Sequence, residues 1–129
     1  MADHQPVWTG IFPIGASDPL YLPVSNVEQS LPFYQHYLAC SIVSQENQPY
    51  KVVVLKRDQV RLGLTENGGN PQEHSCVITV NDLDGLYQEL HTHQLDLSAI
   101  RQETHNDQPL RIFFLRAPDG LCFCFSQRI

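Results

Sequence analysis

The side chains best suited to bind a metal or to carry redox chemistry lack the spacing that such a site requires. No CxxC pair is present among the four cysteines, and each cysteine lies within an apolar segment. A cysteine in such a segment behaves as a small hydrophobic residue, so the pattern predicts buried, reduced thiols rather than metal ligands. The cysteines are Cys40, Cys76, Cys122 and Cys124.

Two further pairs of side chains could serve metal or acid–base chemistry, and for both we favour a surface role. His91 and His93 fall near the end of a predicted helix, where a spacing of two does not place both on one helical face. His105 and Asp107 could form an acid–base pair, because a carboxylate often orients a catalytic imidazole. The segment around them is polar throughout, so it is predicted to be a solvated loop.

Length and composition are those of one soluble domain without a nucleic-acid partner. The chain has 129 residues, of which 42% are apolar and 17% charged, and a net charge of −6 with only eight lysines and arginines. Phosphate binding needs a basic surface, which this composition does not supply. No run approaches the ~18 apolar residues of a membrane span. Residues 1–5 show no signal-peptide pattern, so we expect a cytoplasmic protein.

A repeated strand–helix unit must position these side chains. Residues 22–28 (LPVSNVE) have a counterpart 56 residues later in residues 78–84 (ITVNDLD). Each copy reads as a short apolar strand, a polar cap and a helix with a period near 3.6. Ser25 and Glu28 fit a capping box in the first copy, and Asn81 or Asp82 is predicted to cap the second helix.

The pattern of each copy continues into further strands, which gives the order βαβββ–βαβββ and an α+β fold class. We divide the chain into an N-terminal arm over 1–16, a first module over 17–66, a linker over 67–74 and a second module over 75–129, all within one structural domain. The arm is expected to be irregular and to pack on the body or on a partner subunit. Residues 105–109 are predicted to form a polar loop before a final hairpin.

Alternation along the strands predicts which side chains line the space between the sheets. Phe123 and Phe125 should pack under a helix, while the cysteines of the same strand face inward. Two arginines turned inward would need an anionic ligand, unless they reach water or pair with Glu66 or Glu103. The predicted ligand-binding lining consists of Tyr21, Arg61, Gly63, Thr65, Ser75, Val77, Thr79, Arg111, Phe113, Cys122 and Cys124.

Three stretches of the chain, taken in order, carry a resemblance to a known family. The first is residues 22–38, which begin with LPVSNV, contain Phe33-Tyr34 and end at Leu38. The second is residues 77–84 (VITVNDLD), and the third is residues 116–121 (RAPDGL). Together with the duplication, they resemble the vicinal oxygen chelate superfamily, also called the glyoxalase/bleomycin resistance/dioxygenase fold, over about residues 19–127. The resemblance implies curved mixed sheets around a cavity, helices on the outside and a homodimer.

The resemblance also implies where a metal would bind, and this chain departs from the family pattern there. Many members hold a divalent metal on four strand positions, which fall here on Pro19, Gly63, Ser75 and Cys124. Only Cys124 could bind a metal, and one thiolate does not hold a divalent ion. His74 lies one residue before the third position and would face the other way unless a bulge intervenes. We therefore predict no metal and no other cofactor.

Three functions fit these observations. The first is a metal-independent, homodimeric binding protein that sequesters or senses a small organic molecule in the cavity, where Gly63 and Ser75 leave space. An enzyme of the same superfamily, a lyase, isomerase or dioxygenase with a non-standard or absent metal site, is the alternative. The third is a protein–protein module whose cavity is filled by Tyr21 and Phe113. The sequence does not name a ligand or decide whether the modules pair within one chain.

Overall fold

The computed structural model describes residues 6–129, which form two helices and ten strands. The first half contains β1 (Trp8–Ile14), β2 (Leu22–Pro23), α1 (Val27–His36), β3 (Ser41–Glu46), β4 (Val52–Arg57) and β5 (Val60–Thr65). After a 3-10 turn (Pro71–Glu73), the second half contains β6 (Ser75–Val80), α2 (Leu83–His91), β7 (Asp96–Leu97), β8 (Arg101–His105), β9 (Gln108–Arg116) and β10 (Cys122–Arg128).

The strands form two mixed sheets, one for each module. The first module gives a four-stranded sheet in the order β2-β5-β4-β3, in which β2 and β5 are parallel. The second module, joined at its edge by β1 of the N-terminal arm, gives a six-stranded sheet in the order β1-β6-β10-β9-β7, with β8 also paired to β9. In both modules the first strand therefore lies beside the last, as duplication of one unit requires. The predicted α+β fold of two modules with helices on the outside is confirmed, and the sheets do not close into a barrel.

Both helices begin at a polar cap in the same position of the repeat. The Asn26 side chain accepts a hydrogen bond from the main-chain N–H of Gln29, and Asp82 accepts one from Gly85. Asn26 rather than the predicted Ser25 is thus the cap of α1, and Asp82 is one of the two predicted for α2. No helix within residues 6–129 is long and apolar enough to cross a membrane.

Aromatic side chains form the core between the helices and the six-stranded sheet. Phe123 and Phe125 are fully buried on the helix side of β10, as alternation predicted. Phe123 packs edge-on against Tyr34 of α1, with ring centroids 6.0 Å apart. The Tyr34 hydroxyl donates a hydrogen bond of 2.9 Å to Asp119 in the final hairpin, so it ties the first module to the second.

The N-terminal arm is a regular strand where the structure describes it. β1 pairs antiparallel with β6 at the edge of the sheet, and Trp8 is completely buried. The expectation of an irregular arm was therefore wrong from Trp8 onward, while residues 1–5 lie outside the described chain. Gly10 and Pro13 concealed the strand in the sequence, although an edge strand tolerates proline because one side of it needs no hydrogen bonds.

The predicted polar loop over residues 105–109 is a tight β-hairpin. β8 pairs with β9 up to His105 and Gln108, which leaves only Asn106 and Asp107 in the turn. Both turn residues have positive φ, 49° and 63°, which asparagine and aspartate adopt more readily than most residues. His105 is consequently fixed at the end of a strand rather than free in a loop.

Candidate functional site

Each sheet has one face covered by a helix and one face without a helix. On the six-stranded sheet the register places Phe114 and Val77 opposite Cys124, so these three side chains share the helix-free face. Ile112 and Thr79 lie opposite Ser126 on the same face. Ser75, Val77, Thr79, Cys122 and Cys124 therefore face away from the helices, as alternation predicted.

Arg111 and Phe113 lie on the opposite side of the sheet, so their predicted facing was wrong. Arg111 donates two hydrogen bonds of 2.7 and 2.9 Å to Asp84 of α2. Phe113 is completely buried and stacks on Phe125, with ring centroids 5.2 Å apart. The run IFFL in β9 is apolar on both faces, so its alternation could not be assigned from hydrophobicity alone. The predicted cavity-filling role of Phe113 is excluded by the same placement.

The helix-free face of the six-stranded sheet carries a groove, which we call the open groove. Its narrow part has a volume of about 300 Å3 and an apolar floor. A wider depression of about 870 Å3 continues from it toward Phe12, Thr79 and Arg128. The narrow part is lined by Ile14, Val77, Glu103, His105, Leu110, Ile112, Phe114, Cys124 and Ser126.

Charged side chains of β8 form one rim of the open groove. Glu103 forms a 2.7 Å ion pair with Arg101, and its other carboxylate oxygen lies 3.3 Å from Nε2 of His105. The Arg101 guanidinium also lies 5.3 Å from the ring centroid of Phe114, over the groove floor. Residues 101, 103 and 105 alternate onto one face of a strand, which explains why His105 meets Glu103 rather than the predicted Asp107.

Burial favours the neutral form of the Cys124 thiol on the groove floor and of the Cys122 thiol, which shares its face but lies outside the groove lining. Burial raises the pKa of Cys124 to about 11, and it also raises the pKa of Cys122. None of the four cysteines forms a disulfide, and all except the half-buried Cys122 are buried. Cys124 thus contributes a small, weakly polar surface to the groove floor rather than a thiolate nucleophile or metal ligand.

The four positions that the family uses for a metal do not fit a metal ion in this chain. At Gly63 a Cβ atom would lie only 1.9 Å from the main-chain oxygen of Leu20, so no ligating side chain can stand there. The Pro19 carbonyl already accepts a 2.8 Å hydrogen bond from the Gly63 N–H. Residues 6–129 contain no group of three or more His, Cys, Asp or Glu side chains that could hold a metal. The space predicted beside Gly63 is filled by the Leu20 backbone.

The remaining predicted lining residues lie on the four-stranded sheet, apart from the open groove. Arg61, Gly63 and Thr65 share the helix-free face of β5, where Arg61 is exposed and Thr65 is completely buried. Tyr21 precedes β2 and is 54% exposed. Of the predicted lining, Val77, Thr79 and Cys124 line the open groove. Ser75 and Cys122 share its face outside the groove, and the first-module residues lie on the other sheet.

Several residues of the groove were not predicted as lining. Ile112 and Phe114 were assigned to the wrong face of β9, and Glu103 and His105 were placed in or near a loop. A signal for β8 was present, because Asn106-Asp107 is a favourable pair for a two-residue hairpin turn. Reading that turn would have placed His105 on a strand opposite Gln108, and Glu103 opposite Leu110.

Comparisons with known proteins agree with this architecture. The family model of the Glyoxalase/Bleomycin resistance protein/Dioxygenase superfamily matches residues 16–125. No curated protein matches the chain. Among solved structures, a glyoxalase/bleomycin resistance protein/dioxygenase from Alicyclobacillus acidocaldarius is 18% identical with a TM-score of 0.70, and the alignment covers 88% of this chain and 91% of that one.

Two further solved structures of the same fold are of proteins named for bleomycin. A bleomycin resistance determinant encoded on the transposon Tn5 is 19% identical with a TM-score of 0.67, with 88% of this chain and 98% of that chain covered. A bleomycin-binding protein from bleomycin-producing Streptomyces verticillus, complexed with copper(II)-bleomycin, is 18% identical with a TM-score of 0.65, with 87% and 95% covered. At these identities the likeness establishes the fold.

Proposed function

We propose that this chain, which belongs to the Glyoxalase/Bleomycin resistance protein/Dioxygenase superfamily, binds a small organic molecule in the open groove. By binding the molecule it would sequester or sense it. The observation that carries the proposal is an apolar floor that no helix covers, bordered by a few charged and hydroxyl side chains. Small-molecule sites usually have this composition, because apolar contact supplies affinity and a few polar groups fix orientation.

The floor of the groove explains why a ligand would bind there rather than on the other sheet. Phe114 and Val77 are half-buried, Cys124 lies between them and Ile112 lies next to Phe114 along the same face of β9, so an apolar molecule placed there would cover exposed apolar surface. On the four-stranded sheet the corresponding centre is occupied by the main chain at Leu20. The bleomycin-binding and bleomycin resistance proteins of the same fold support a ligand-binding role at the level of the fold.

Filling the groove tests the proposal. Val77→Trp places an indole in the open groove, and Val54→Trp is the matched control because Val54 is also a half-buried valine on a helix-free face. Planar aromatic compounds and antibiotics are screened by the shift of the melting temperature. We expect compounds that stabilise the wild type and Val54→Trp but not Val77→Trp. Compounds that stabilise all three proteins equally would contradict binding in the groove.

We propose further that two copies of the chain form a homodimer that covers the groove. Phe12 of β1 is 55% exposed beside the open face, and Ile14 on the same strand is 40% exposed. Exposed apolar side chains in such a row favour association. Light scattering should report a dimer for the wild type and a monomer for Phe12→Glu, whereas Tyr50→Glu, at a tyrosine that is 51% exposed elsewhere, should remain dimeric. A monomeric wild type at high concentration would contradict the proposal.

Metal independence and a cytoplasmic location are also part of the proposal. The close approach of Leu20 to Gly63 supports the first, because it removes one ligand position. The four unpaired cysteines support the second, since reducing compartments keep thiols free. Elemental analysis of protein purified without chelator should find no stoichiometric divalent metal. One equivalent of bound metal would instead favour an enzyme of the same superfamily.

A further inference from the structure

We infer that the open groove selects an organic anion, namely a molecule with an apolar or aromatic body and a carboxylate group. The inference rests on the proposed function and names the chemical class of its ligand. It follows from the distribution of charge around the groove, which is opposite in sign to that of the whole chain. The apolar body would lie on the floor of the narrow part, and the carboxylate would lie in the wider depression beside Arg128.

The charged side chains at the groove sum to a positive value in a protein that is acidic overall. Arg128 lines the wide depression, and Arg101 lies over Phe114 at the narrow part. Glu103 is the acidic residue of the lining. Two arginines against one glutamate leave one positive charge at the groove, whereas the chain carries a net charge of −6. A local field of this sign attracts anions to a surface that would otherwise repel them.

Glu103 is already paired on both of its carboxylate oxygens. One oxygen is 2.7 Å from Nη2 of Arg101, and the other is 3.3 Å from Nε2 of His105. A cationic ligand group would have to displace one of these partners before it could pair with Glu103. The acidic residue of the rim therefore holds Arg101 in place over the groove more readily than it offers a site to an ammonium group.

Arg128 differs from Glu103, because within residues 6–129 its guanidinium forms no ion pair. No acidic group within residues 6–129 lies within 4.0 Å of it. A guanidinium offers several N–H donors in a planar arrangement that matches the two oxygens of a carboxylate. Arg128 lies near the hydroxyl-bearing Ser126 and Thr79 at the wide part of the groove, while the floor near Phe114 is apolar. The groove therefore has an apolar end and an anion-binding end.

Three probes with the same aromatic body and substituents of similar size but different charge test the inference. Naphthoate, naphthamide and naphthylmethylamine share the aromatic body and carry a carboxylate, a neutral amide and an ammonium group. Calorimetric titration of the full chain should show naphthoate binding at least about tenfold more tightly than naphthamide, as expected for a charge-assisted pair. Arg128→Gln should remove most of this preference, and an unchanged circular dichroism spectrum would show that the variant is folded.

Arg61→Gln is the matched control, because it removes the same charge from an exposed arginine on the other sheet. It should leave the preference for naphthoate intact. Equal affinity for the three probes, or strongest binding of naphthylmethylamine, would overturn the anion inference while leaving groove binding standing. Failure of all three probes to bind the wild type would overturn both the inference and the proposed binding function.

Discussion

The two helix-free faces of this molecule occupy the same place in a duplicated unit, yet main chain covers the centre of one and the other carries the open groove. Register equates Gly63 of β5 with Cys124 of β10. Leu64 pairs with Leu22, Phe125 pairs with Ile78, which is the counterpart of Leu22 in the repeat, and Gly63 and Cys124 each precede these residues by one. Over Gly63 the Leu20 main chain leaves no room for a Cβ atom, whereas Cys124 forms part of an open groove floor. The two copies of the repeat therefore share a scaffold but not a site.

The comparison also explains the loss of the family's metal positions in physical terms. The segment that joins β1 to β2 runs against β5, and the Gly63 N–H donates to the Pro19 carbonyl. A position where the family resemblance implies a side-chain ligand is used here for contact between two stretches of main chain. Within residues 6–129 no such segment covers Cys124, and the face of the second module carries the open groove.

The largest difference between the modules should appear when these two equivalent positions are changed to alanine. Gly63→Ala places a methyl group against a main-chain oxygen that cannot move alone, so we expect a loss of about 3 kcal/mol or more in the free energy of unfolding. Cys124→Ala removes one sulfur atom beside the groove and should cost about 1 kcal/mol. Urea unfolding measures both values. Equal losses would contradict the asymmetry between the faces.

A second difference concerns the ends of β4 and β9. Arg57 is buried and donates hydrogen bonds to Glu89 and to two main-chain carbonyls, while the equivalent position in the second module is Ala117. Arg57→Met leaves these acceptors unpaired and should lower the free energy of unfolding by about 2 kcal/mol. The exposed Arg116, changed to Met, serves as the control and should cost less than about 0.5 kcal/mol. A similar cost for both would show that the Arg57 network does not stabilise the fold.

The helix caps should behave alike, because the duplication retained them. Asn26→Ala and Asp82→Ala each remove a side-chain acceptor at the first turn of a helix, so each should cost about 1 kcal/mol in unfolding free energy. The double variant should lose the sum, since the two caps lie in different modules. Denaturant titration of the single and double variants checks this. Losses that differ severalfold would indicate that the helices no longer have equivalent roles.

The smallest effects should come from two equivalent surface ion pairs. Hydrogen bonds from Lys51 and Arg111 hold the pKa values of Glu28 and Asp84 below their ordinary values. A depressed folded-state pKa adds stability that is present above the unfolded pKa and is lost as the pH falls through the folded value. Both pairs are exposed, so Glu28→Gln and Asp84→Asn should each lower the melting temperature at pH 7 by only about one degree. Near pH 2 the variants should melt with the wild type, and a difference that persists there would contradict this origin.

Local patterns made much of the scaffold predictable from the sequence. The two helices, their offset of 56 residues and the burial of Phe123 and Phe125 follow from short-range periodicity and capping. Asn26 displaced the predicted Ser25 as a cap because neighbouring polar residues can both serve, and only the main-chain angles decide. A sequence pattern places such a boundary to within a residue or two.

The site itself was less predictable, because it depends on contacts between distant parts of the chain. The facing of Phe113 and Phe114 is set by pairing with β10, and the apolar run that contains them fits either face. The close approach of Leu20 to Gly63 is a contact between main chains, which no alternation of side chains records. Alternation therefore assigned the facing of Val77, Thr79 and Cys124, and it could not reveal the contact between Leu20 and Gly63.

A crystal structure of the protein soaked with naphthoate tests the central claim most directly. We predict electron density for the aromatic body against Ile112, Phe114 and Cys124 in the open groove, with the carboxylate toward Arg128. Density for the ligand on the four-stranded sheet near Gly63, or a metal ion held there, would contradict the account, because it would show that the first-module face is the functional one.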